Sequence, residues 1–63
     1  MNLKEWFDTH NISYASLKLK DGVKLYYAKG NVFINDSKCN LAITKKILEC
    51  SEPKEILSLL EIN

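Results

Sequence analysis

The spacing of hydrophobic positions along the chain changes period twice, from helical to alternating and back to helical. Near the start, Leu3, Trp6, Phe7 and His10 fall at i, i+3, i+4 and i+7, one face of a helix. Asn2 stands where a helix cap belongs, with Glu5 in the capping-box position three residues on, and Asn11 is a suitable stop. The pattern predicts a first helix over about residues 3–10.

Alternation begins at Ser16. Leu17 and Leu19 alternate with Lys18 and Lys20, and Val23, Leu25 and Tyr27 alternate with Lys24 and Tyr26, so both runs read as strands with one apolar face. A three-residue loop, Lys20-Asp21-Gly22, would pair Leu19 with Val23 and Leu17 with Leu25, keeping apolar opposite apolar and putting Gly22 in the left-handed position. A Gly30-Asn31 turn of type II′ would follow, pairing Tyr27 with Ile34 and Ala28 with Phe33. One face of the resulting meander holds Leu17, Leu19, Val23, Leu25, Tyr27, Val32 and Ile34. The other holds Ser16, Lys18, Lys24, Tyr26, Ala28, Phe33 and Asn35, with Lys18 directly across from Lys24.

Helical spacing returns after residue 36. Asp36 or Ser37 is placed to cap a helix over about residues 38–50, with Cys39, Ala42, Ile43, Ile47 and Cys50 on one stripe. Pro53 suits the first turn of a third helix over about residues 53–61. There Ile56, Leu57, Leu59, Leu60 and Ile62 make an apolar arc wider than one sheet face requires, so Ile56, Leu57, Leu59 and Leu60 are candidates for an oligomer or partner interface. The predicted class is α+β, in the order α-β-β-β-α-α, with a three-stranded antiparallel meander packed against helices.

Size makes this fold a single domain over residues 1–63 and limits its core. A domain of about 60 residues buries only about 60% of its unfolded surface, and self-association is one common remedy, so a homo-oligomer is expected. Nothing in Met1–Glu5 resembles a targeting segment and no apolar run approaches a membrane span, so the expected setting is cytoplasmic, away from membranes.

The net charge is only +1, but it is unevenly distributed. Residues 18–46 carry seven Lys against Asp21 and Asp36, which is +5, while residues 47–63 carry Lys54 against Glu49, Glu52, Glu55 and Glu61, which is −3. Every strong cation is Lys. The bidentate Arg fork that reads guanine edges is missing, which weighs against base-specific nucleic-acid recognition.

Catalytic and metal chemistry find few of their parts. The lone histidine, His10, lies at a helix end, where a ring bonded to the last carbonyls accounts for it without a catalytic role. Cys39, Cys50 and His10 have no CxxC or HxxxH spacing, so neither a metal nor a cofactor is expected. On one helix, two cysteines eleven residues apart stand roughly 16 Å from each other, beyond the roughly 7 Å a disulfide spans, so free thiols are expected. Glu52 and Glu55 suit the start of a helix by charge alone. Both glycines serve turns, leaving none for a phosphate loop.

What remains is the face carrying Lys18, Lys24, Tyr26 and Phe33. If helices cover it, the rings are core and the lysines lie over them; if it is open, it is a binding surface. The expected function is a small non-enzymatic binding protein that occludes a macromolecular partner, most plainly a protein. Stand-alone inhibitors of phage or mobile-element type have this size. The alternative is a nucleotide or single-stranded nucleic-acid binder using the same face.

Overall fold

The computed structural model describes residues 1–61. Its elements are α1 (Leu3–Thr9), β1 (Tyr14–Lys20), β2 (Val23–Ala28), β3 (Asn31–Ile34), β4 (Ser37–Lys38), α2 (Leu41–Glu49) and α3 (Pro53–Leu59). The class is α+β, and the strands form one antiparallel meander in the order β1-β2-β3-β4.

Helix α1 begins as its sequence indicates. The Asn2 side chain accepts the Glu5 backbone N–H at 2.8 Å, and Asn11 leaves the helix in the left-handed region at φ 53°. Of its apolar stripe only Phe7 is fully buried; Trp6 is 41% exposed and His10 lies at the surface.

The β1–β2 hairpin keeps the expected Leu17–Leu25 and Lys18–Lys24 pairs but not Leu19–Val23. Lys20 pairs with Val23 around an Asp21-Gly22 turn, and the register shifts between Lys18 and Lys20. This irregularity takes up the odd residue, so Leu19 and Val23 both still face the core, each 8% exposed. Gly22, at φ +82°, holds the left-handed position.

The β2–β3 register differs from expectation by two residues. The turn is Lys29-Gly30, with φ of 45° and 86°, and the pairs are Leu25–Ile34, Tyr26–Phe33, Tyr27–Val32 and Ala28–Asn31. Positive φ at both central residues is the type I′ geometry, whose twist matches that of the strands. An even slip leaves every side chain on its face, so Val32 remains in the core at 0% exposure.

A fourth strand takes the place of the expected helix start. Asn35 and Asp36, at φ 49° and 68°, form a second such turn rather than a cap, and Ser37 and Lys38 pair back onto Ile34 and Phe33. Cys39 continues the ladder, its N–H donating to the Val32 carbonyl at 2.9 Å. Helix α2 therefore starts only at Leu41, capped by Asn40, whose side chain accepts the Ile43 N–H at 2.9 Å. The later start changes the buried stripe: Thr44 and Ile47 are buried, whereas Ala42 is exposed. Cys39 lies outside the helix, and both cysteines are free thiols. Helix α3 ends at Leu59, short of residue 61, and Ile62 lies outside the described residues.

The core joins all three helices to one side of the sheet. Phe7 from α1, Ile47 from α2 and Ile56 from α3 meet Leu19, Val23, Leu25, Tyr27 and Val32. The Phe7 ring stacks on Tyr27 with centroids 4.2 Å apart. Fully burying an aliphatic or aromatic side chain of this kind stabilises a fold by about 1.5–3 kcal/mol. All of these strand residues project from the same face of the meander.

Candidate functional site

The opposite face of the sheet carries Ser16, Lys18, Lys24, Tyr26, Phe33 and Asn35, none of them buried. The pairing assembles them into rows. One row crosses the whole sheet, Ser16 beside Tyr26, Tyr26 beside Phe33 and Phe33 beside Lys38. The next row sets Lys18 beside Lys24. The strand pairing thus brings Lys18, Lys24, Tyr26 and Phe33 together on one surface.

Tyr26 and Phe33 form the apolar centre. Their ring centroids are 6.0 Å apart at an interplanar angle of 47°, Tyr26 is 43% exposed, and Phe33 is half-buried. The rings border a shallow hollow of about 260 Å³, lined also by Ser16, Lys24, Asn35 and Asp36. The Lys18 ammonium meets the Asp21 carboxylate at 2.9 Å, an exposed pair that offsets part of the repulsion from Lys24.

Asn35 shapes this surface from below. Its Oδ1 accepts the Lys24 N–H at 2.9 Å, and its Nδ2 donates to the Gly22 carbonyl at 3.0 Å. One side chain thereby ties the β3–β4 turn to the start of β2 and to the β1–β2 turn. The backbone bearing Lys24 is thereby held in place.

Lys38 is the member that sequence reasoning did not find. The sequence pattern places it at the start of the second helix, and only strand β4 sets it beside Phe33. The signal was present in Asn35-Asp36, two residues that tolerate the left-handed region and form hairpin turns.

The other candidates separate. Ile56 is 1% exposed and belongs to the core, while Leu57, Leu59 and Leu60 are half-buried against it. The His10 ring bonds the Trp6 carbonyl through Nδ1 at 2.9 Å and lies against the indole with centroids 4.6 Å apart. Burial raises the pKa of both thiols; the Cys50 thiol is raised further by the Glu55 and Glu49 carboxylates and donates to the Lys46 carbonyl at 3.3 Å. Among the described residues, no three His, Cys, Asp or Glu side chains gather as a metal site would require, and no helix is long and apolar enough to cross a membrane. Comparison with protein-family models, with curated proteins and with solved structures finds no match to this chain.

Proposed function

We propose that this chain is a small non-enzymatic binding protein that docks through the open face of its sheet and occludes the surface of a partner protein. The observation that carries the reading is the one-sided burial: every core residue of the strands faces the helices, and Tyr26, Phe33, Lys18, Lys24 and Lys38 lie on the other side. Aromatic rings at the centre with polar side chains around them match the usual anatomy of a protein interface, an apolar core with a polar rim. The lysines suit a partner patch rich in Asp and Glu, and cytoplasmic inhibition of the phage or mobile-element kind is the setting in which so small a protein would act.

The test is capture by the immobilised chain, with the partner identified and its affinity then measured in purified form. Tyr26→Ala removes a central ring and is expected to weaken binding by more than roughly ten-fold, the effect of a central aromatic anchor. Lys24→Glu reverses a rim charge and is expected to slow association, an effect that shrinks as salt is added. A partner bound equally well by both variants does not use this face, and the reading fails.

A second reading is favoured by the row Tyr26–Phe33–Lys38, which offers two rings and a cation to a nucleotide or to single-stranded nucleic acid. Fluorescence anisotropy with a labelled oligothymidylate distinguishes it. Nucleic-acid binding would weaken steeply with salt as phosphate counterions are displaced, and would be lost in Tyr26→Ala.

A further inference from the structure

Strand β1 is an edge strand, with β2 on one side. Which of its backbone groups point outward follows from the register. The Lys29 N–H donates to the Ser13 carbonyl at 2.8 Å, so residue 13 faces β2. Antiparallel pairing alternates, so Ala15 and Leu17 also bond β2, and Tyr14, Ser16 and Lys18 turn their N–H and C=O groups to the outer edge. The second hairpin obeys the same parity: the Lys24 carbonyl accepts from Asn35 on the β3 side.

We infer that this edge is the interface with a second copy of the chain, joined antiparallel about a two-fold axis through Ser16. In that register Tyr14 pairs with the partner's Lys18, Ser16 with the partner's Ser16, and Lys18 with the partner's Tyr14. All three outward-facing residues then exchange both backbone bonds, clear of the irregularity near Leu19. Edge lysines ordinarily prevent self-pairing because like charges meet. Here each Lys18 meets a tyrosine ring. Tyr14 is 55% exposed with the Lys29 Nζ 5.8 Å from its centroid, and Lys18 carries the Asp21 carboxylate at 2.9 Å, so the second ammonium reaches the ring as part of an ion pair rather than as a bare charge. Shifting the axis to Lys18 would instead set Lys18 against Lys18. On the helix side Leu17 meets Ala15, a large residue against a small one.

A second observation points to the same partner. On the helix side β1 borders an apolar hollow of about 300 Å³, lined chiefly by Met1, Leu3, Trp6, Phe7, Leu17 and Pro53. Met1 and Trp6 are 71% and 41% exposed there. Leu17 belongs to both the hollow and the edge, so pairing the strands also covers apolar surface. The dimer would have one continuous sheet of eight strands, with its two open faces side by side. Ser16 and Lys18 thus belong to both the edge and the open face, while Tyr26, Phe33 and Lys38 stand on β2, β3 and β4, away from the new seam.

Sedimentation velocity of the full chain over a concentration series, with amide exchange of the same samples, tests it. The expected species is a dimer in which the Tyr14, Ser16 and Lys18 amides gain protection as concentration rises. Ser16→Pro removes an outward N–H while sparing the β2 ladder, so the fold should persist by circular dichroism while the dimer is lost. Tyr14→Lys sets Lys against Lys18 and should raise the dimer dissociation constant by roughly ten-fold or more, which keeps the test decisive should Ser16→Pro not fold. A wild-type chain that stays monomeric up to millimolar concentration overturns the inference. So does a dimer that survives both variants, or one whose three outward amides exchange as freely as in the monomer.

Discussion

Leu25 and Tyr26 are neighbours in β2, yet they live in different solvents. Leu25 is 1% exposed under the helices, and Tyr26 is 43% exposed on the far side. The contrast extends along the strands. The helix side is filled by Leu19, Val23, Leu25, Tyr27 and Val32, while the far side carries lysines around two rings. Among the described residues, helices of seven, nine and seven residues pack one face of the four-stranded sheet and none covers the other. Antiparallel sheets commonly leave a face to water, and that face is usually polar. Two aromatic rings side by side at its centre are the departure that calls for a functional explanation.

The sharpest way to break this comparison is to truncate the two neighbours. Leu25→Ala leaves a cavity in the core and is expected to destabilise by about 2–5 kcal/mol. A chain of this size has roughly 3–9 kcal/mol in total, so much of the folded population would be lost. Tyr26→Ala removes one cross-strand ring contact at the surface and is expected to cost under about 1 kcal/mol. Urea unfolding followed by circular dichroism measures both. Equal losses would mean that the two faces are not distinguished as described.

A smaller effect shows that exposure alone does not decide what an open-face residue contributes. Asn35 is exposed, but it combines a left-handed backbone at φ 49° with side-chain bonds to Lys24 and Gly22. Asn35→Ala loses the bonds and keeps the strained backbone, for an expected cost of about 1.5–3 kcal/mol. Asn35→Gly relieves the backbone and loses only the bonds, for about 1 kcal/mol. Thermal unfolding of the pair separates the two contributions. If both variants lose equally, the backbone conformation at this turn is not a cost.

These two faces were legible before any coordinates because period-two alternation decides which residues share a side. Alternation is unaffected by an even slip, so the β2–β3 register could move by two residues while Tyr26 and Phe33 stayed on one face. Alternation does not determine which residues face each other. That depends on turn conformation: residue type points to Gly30-Asn31, with Gly at the first central position, whereas the turn forms at Lys29-Gly30 with Lys29 at φ 45°, a value uncommon for Lys. The same blindness hid β4. Asp36 and Ser37 are good helix caps by residue type, and two residues are too few to show a period. Lys38 therefore entered the candidate site only through the tertiary pairing. The uncovered state of the face was not legible either, because the apolar arc of the third helix fits either side of a sheet until Ile56 is seen in the core.

The smallest expected effect lies at the two thiols, Cys39 just past β4 and Cys50 at the end of α2. Burial disfavours the thiolate at both, and at Cys50 the Glu55 and Glu49 carboxylates add to it. A raised thiol pKa in the folded state means that the unfolded chain releases its proton first as pH rises. The stability associated with the protonated thiols is therefore complete below the unfolded thiol pKa, about 8.5, and is lost as pH climbs through the higher folded values. Glu55→Gln removes one charge but keeps an oxygen to accept the Ser51 N–H, which Glu55 now accepts at 2.9 Å. Alkylation by iodoacetamide at mildly alkaline pH should then quicken at Cys50, by less than roughly ten-fold because burial, the larger cause, is untouched. Burial alone raises the Cys39 thiol, so Cys39 should react at an unchanged rate and mass spectrometry of the two sites contains its own control. Equal acceleration at both would point to loosened packing rather than a lost charge.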